Sequence, residues 1–131
     1  MKSLLMKIGQ LAHRFEQEKG EEFILFALVL PEDAIAWDLL AASNWIDKDK
    51  QAALRYMASK VQDTLTAEEL RDFSGIVLFE TNDLDSAAGF IKSEKGKLES
   101  DIDFLGAKIQ KGYLFSAPIS DFQVYSPYNS V

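Results

Sequence analysis

The chain has no cysteine, only three prolines and a single histidine among 131 residues. The missing thiols exclude disulfide frameworks, thiolate nucleophiles and sulfur-ligated zinc together. With one imidazole, a histidine-rich metal centre is out of reach as well. No phosphate-loop or dinucleotide glycine pattern occurs, and no Gly-x-Ser-x-Gly turn presents a hydrolase nucleophile. Nor does any apolar run approach the roughly 18 residues of a membrane span. The apolar residues after Lys2 and Lys7 are spaced rather than continuous, so no secretory h-region is read there. Cytoplasmic residence is the expectation.

Basic charge is also scarce. Fourteen Lys and Arg stand against 21 Asp and Glu, a formal charge of −7. That balance opposes a broad phosphate-binding footprint, which makes nucleic acid an unfavoured partner, and it favours solubility. What is present is the composition of an ordinary globular domain, 47% apolar and 27% charged. A chain of this length buries enough surface for one core.

The apolar pattern predicts the elements in turn. Leu4, Leu5, Ile8, Leu11, Ala12 and Phe15 recur at helical spacing and define an amphipathic first helix that ends near Lys19-Gly20. Phe23 to Leu30 has no polar face and reads as a central strand covered on both sides. Pro31-Glu32-Asp33-Ala34 turns the chain. Ile35 to Ser43 then returns antiparallel, with Ile35, Trp37, Leu39 and Ala41 on one face and Ala36, Asp38, Leu40 and Ala42 on the other. Asp47, or else Asn44, caps the next helix, whose buried stripe is Leu54, Met57, Ala58, Val61 and Leu65. Thr66-Ala67-Glu68-Glu69 has the form of a capping box opening a short helix.

Gly75 to Glu80 reads as a third, internal strand. A short helix from Asn82 or Asp83 to Lys95 follows, and a terminal hairpin is read through Ile102, Phe104, Ile109 and Tyr113-Leu114-Phe115. The sequence therefore predicts a single α+β domain over residues 1–117, mixed α/β in character. A single-layer sheet of about four or five strands starts with a β-hairpin and carries an N-terminal and a central amphipathic helix. Residues 118–131, with Pro118 and Pro127, are read as an irregular tail.

Few residues stand out for chemistry. His13 borders the apolar stripe of the first helix and reads as a boundary residue rather than a general base. Asp38 is a carboxylate inside an apolar strand, where a bare charge is costly; it reads as exposed or paired, with a metal ligand as the weaker alternative. Asp101 and Asp103 alternate but lack the glycine and distal glutamate of a calcium loop. Trp45, between a strand end and a helix start, is a candidate partner anchor, though an aromatic at that place also packs inward. Tyr113, Tyr125 and Tyr128 complete a candidate aromatic surface. The leading functional expectation is a small protein-interaction module, an accessory, regulatory or neutralising subunit that binds another protein or a second copy of itself. A metal-dependent hydrolase or nuclease built on Asp38, and a small-molecule sensor with a pocket between sheet and helix, are the alternatives. No catalytic residue and no cofactor is assigned.

Overall fold

A computed structural model describes residues 2–82, 97–98, 102–104 and 107–116. The elements run α1 (Lys2–Lys19), β1 (Leu25–Pro31), β2 (Trp37–Ala42), α2 (Asn44–Lys48), α3 (Lys50–Thr64), α4 (Ala67–Arg71), β3 (Phe73–Leu78), β4 (Lys97–Leu98), β5 (Ile102–Phe104) and β6 (Ala107–Ser116). Strand order is β3-β2-β1-β6-β4, and β5 pairs with β6 as its antiparallel hairpin partner. β2 and β3 run parallel, while the other pairs are antiparallel. This is the mixed α+β domain read from the sequence, an open sheet with the N-terminal and central helices packed on one face.

β1 lies at the centre because every residue from Leu25 to Leu30 is buried. Its hairpin partner is in register from Leu25 opposite Ala42 to Val29 opposite Asp38. The turn between them closes with the Ala34 N–H donating to the Pro31 carbonyl at 3.1 Å, and Asp33 takes a positive φ of 65°. Aspartate tolerates that left-handed geometry better than most residues. The returning strand starts two residues later than the alternation suggests. Ile35 is 96% exposed, outside the ladder, so it does not share the buried face of Trp37.

One core unites α1, α3 and the helix-facing residues of the sheet. Leu4, Ile8, Leu11 and Phe15 meet Phe26, Leu28, Trp37 and Leu39, with Met57 and Val61 from α3. The first helix ends where glycine permits it: Gly20 has φ +71° and its N–H donates to the Glu16 carbonyl at 2.9 Å.

The central helix departs from expectation at its start. Two helices occupy the predicted span, α2 following Ser43 and α3 capped by Asp49, whose side chain accepts from the Ala52 N–H. Asp47 and Asn44 are therefore helical residues, not the cap of the long helix. The stripe shifts accordingly, with Ala53, Met57 and Val61 buried and Leu54 41% exposed. β3 is also corrected. Among the described strands it ends the order rather than lying inside it, and Ile76 and Leu78 satisfy their apolar character by packing against the core on one face.

α4 has the full capping box, Thr66 accepting from the Glu69 N–H and Glu69 accepting from the Thr66 N–H. Glu69 also binds Lys7 at 2.7 Å and Ser3 at 2.6 Å, tying α1 to α4. The predicted helix over 82–95 and the tail over 118–131 fall almost wholly outside the described residues.

Two outcomes test these joints. Replacing Asp49 with alanine removes the α3 cap and is expected to lower stability by about 1 kcal/mol in urea unfolding. Glu69 is the pH-sensitive tie: hydrogen bonds from Lys7, Ser3 and the Thr66 backbone hold its carboxyl down at about 2, against an ordinary 4.5. A carboxyl lowered by folding stabilises above its unfolded value, and that contribution fades as pH falls. The wild-type melting temperature should therefore drop more steeply from pH 4.5 toward pH 2 than that of Glu69→Gln. Parallel pH profiles for the two proteins would refute the tie.

Candidate functional site

Trp45 enters from the first turn of α2 and is buried, with 9% of its surface exposed. Its ring lies 5.9 Å from Phe23 and 5.9 Å from Tyr56, both edge-on. The Lys19 ammonium sits over it at 5.1 Å and over Tyr56 at 4.4 Å. The indole Nε1 is buried and has no hydrogen-bond partner among the described residues. Leaving such a donor unpaired costs about 1–3 kcal/mol. Two aromatic contacts and a cation over the ring, each worth roughly 0.5–1.5 kcal/mol, offset that loss. Trp45 is thus the clasp between α1, α2 and α3 rather than a surface residue.

The clasp continues through Tyr56, whose hydroxyl donates to the Glu18 carboxylate. Burial, then the Glu18 hydrogen bond and charge, push the phenol up to about 12. Glu18 is lowered, chiefly by the same hydrogen bond. Both shifts mark a structural tie of α1 to α3.

Asp38 is half-buried in β2, on the face opposite Trp37 and Leu39. Its register neighbours are Val29 and Gly75, neither of which brings a donor side chain. Among the described residues, no group of three or more His, Cys, Asp or Glu side chains could hold a metal ion. Asp47 has a clear task instead. Its carboxylate accepts from the Thr81 hydroxyl at 2.7 Å and from the Thr81 N–H at 3.3 Å, fastening the end of β3 to α2.

Tyr113 is half-buried on β6 and stacks at a tilt on Trp37, ring centres 5.9 Å apart, while Phe115 packs on Phe26. Tyr113 therefore joins the sheet face, far in the strand order from β3. Tyr125 and Tyr128 lie outside the described residues. His13 is exposed on α1.

The site that the sequence did not single out lies on the outer side of β3. An open groove of about 260 Å³ runs between α3 and this strand, lined by Leu54, Ala58, Gln62, Phe73, Gly75 and Ile76 among others. Leu54 is 41% exposed beside it, whereas Val77, 39% exposed, lies with Leu40 on the opposite face of the sheet. No residue from Phe73 to Phe79 is charged. On its other side β3 pairs with β2, and no described strand pairs with its outer edge. The groove and edge together form a surface of apolar side chains next to backbone donors and acceptors. The available signal in the sequence was Leu54, which sits at the border of the α3 stripe.

Family models, curated proteins and solved structures were all compared with the chain, and none matches it. Within the described residues no helix is long and apolar enough to cross a membrane.

A spectroscopic outcome checks the clasp. Because folding raises the Tyr56 pKa, its contribution to stability is complete below pH 10 and is lost as pH rises toward 12. In absorbance titration of the folded protein, one phenol should ionise near pH 12, and Tyr56→Phe should remove that step. A titration curve unchanged by the substitution would show that the tie is absent in solution.

Proposed function

We propose that the chain is a small protein-interaction module, an accessory, regulatory or neutralising subunit whose partner docks along β3. The observation that carries this reading is the uncharged edge of β3 beside an apolar groove, with Leu54 exposed at its rim and no described strand on that edge. A partner strand added to a sheet edge gains main-chain hydrogen bonds, and its alternate side chains fill the adjoining groove. The formal charge of −7 speaks against nucleic acid as that partner. A cytoplasmic location accords with a cysteine-free chain.

The sensor reading has one observation in its favour, since the groove does lie between sheet and helix. Size weighs against it. At about 260 Å³ the groove falls short of the roughly 300–1,000 Å³ of small-molecule pockets, and it opens along a strand rather than closing around a ligand. A polypeptide suits it better.

The test is a photo-reactive residue at Val77 of the full chain, expressed in its native host. It should capture a protein, with yield strongly reduced by Leu54→Glu. The same probe at His13, exposed on α1, should not capture that protein. Equal labelling from the two positions would sink the proposal.

A further inference from the structure

We propose that Trp45 and Tyr56 form a seat for a quaternary ammonium group, occupied in this structure by the chain's own Lys19. The seat shares no lining residue with the β3 groove. Its two rings meet nearly at right angles, 85° between planes with centres 5.9 Å apart, and so make a corner. The Lys19 ammonium lies in that corner, 5.1 Å from the indole centre and 4.4 Å from the phenol centre. Both distances fall within the roughly 6 Å over which a ring face attracts a cation.

The contacts that Lys19 lacks define the ligand. A lysine ammonium carries three donors and is strongly hydrated. Among the described residues Lys19 makes no hydrogen bond and no ion pair, because the neighbouring Glu18 carboxylate is taken up by Tyr56, Arg14 and Lys60. The corner therefore holds a cation by ring faces, with a carboxylate behind them that adds its field without accepting from that cation. A primary ammonium is poorly matched to such a place, since it gives up water and gains no acceptor. A trimethylammonium group has no N–H to satisfy and packs its methyl groups on the rings, which is how aromatic corners recognise such ligands.

The seat is set before a ligand arrives. Phe23 packs edge-on against Trp45, Phe15 lies 5.4 Å from Tyr56, and Glu18 holds the Tyr56 hydroxyl. Only Lys19 has to move. It is exposed and closes α1 one residue before Gly20, so its side chain reaches the corner from the solvent side. Lys19 then acts as a tethered competitor, at the millimolar effective concentration of a short flexible link. A trimethylammonium group arrives on a free choline-type molecule or at the end of a trimethylated lysine side chain, and the chemistry at the corner is the same for both.

The test follows the two indole N–H signals of the full chain by NMR, with Trp45 as reporter, Trp37 as internal control and Trp45→Phe for assignment. Choline chloride should shift the Trp45 signal and leave that of Trp37 in place. Removing the tethered competitor by Lys19→Ala should tighten choline binding by about tenfold. Lys60→Ala takes a cation from Glu18 but not from the corner, and should bind as the wild type does. Tyr56→Leu, added to Lys19→Ala, should abolish the gain. Neohexanol, the uncharged isostere of choline, should move neither signal. A peptide with one trimethyllysine, compared with its unmodified form, separates the sources: tighter binding than choline assigns the group to a protein side chain, and weaker binding assigns it to a free molecule. If choline leaves the Trp45 signal of Lys19→Ala unmoved while an unchanged Trp37 signal shows that variant folded, the seat is refuted. Equal shifts with neohexanol and choline refute it as well.

Discussion

The structure depends on β1 having no free side. Its edges are taken by β2 and β6, and its residues from Leu25 to Leu30 are buried on both faces. A strand so placed has no position for a polar side chain, which is why Phe-Ile-Leu-Phe-Ala-Leu-Val-Leu contains none. It also binds distant parts of the chain. Phe26 pairs with Ala41 on one side and Ser116 on the other, so the sheet closes only when both ends of the described chain are in place. Such non-local closure carries a loop-entropy cost before it is rewarded. The local hairpin with β2 lowers that cost by presenting a ready-made edge to β6.

The helices are fixed to this sheet by polar ties at their ends and apolar packing between. Lys7 and Ser3 bind Glu69 at one end of α1, and Lys19 lies over Trp45 and Tyr56 at the other. Individually these contacts are small. Their value lies in direction: packing alone lets a helix slide along an apolar face, whereas ties at both ends determine its register. Trp45 illustrates the trade. Its unpaired indole donor is tolerated because the ring joins three helices at once.

Elements whose residues answer to a single constraint were legible in the sequence. The six stripe residues of α1, the unbroken apolar run of β1, the turn at Pro31 and the Thr66 capping box each depend on local geometry or on full burial, and each is found as read. Misplacements arose where two constraints compete. An apolar strand reads as internal, yet Gly75 to Leu78 needs only one covered face to explain its composition. Asp47 and Asp49 are equally good caps by type, and only the approach of Thr81 shows why one is spent elsewhere. Trp45 stands before a helix in sequence, but its burial follows from Lys19 and Phe23, which come from a different part of the chain. Leu54 escaped notice for the opposite reason, since a leucine at the border of a stripe is read as core.

The position of β3 at the end of the described strand order is a consequence of topology rather than an accident of composition. β2 is followed by α2, α3 and α4 before β3 returns parallel to it, and a parallel return requires a crossover of this kind. A helix is about 10–12 Å across with its side chains, and neighbouring strands lie about 4.8 Å apart, so one helix roofs about two strands. With α1 sharing the same face, α3 reaches the β2–β3 pair and no farther. Its outer side then overhangs the last strand, exposing Leu54 above Gly75 and Ile76 and creating the groove. Among the described residues no strand lies beyond β3. At the opposite end of the sheet the chain does supply such cover, where β4 and β5 pair with the outer edge of β6. Among the described residues, one edge is closed by short local strands, whereas β3 has an uncharged strand and an apolar rim with no strand on its outer side.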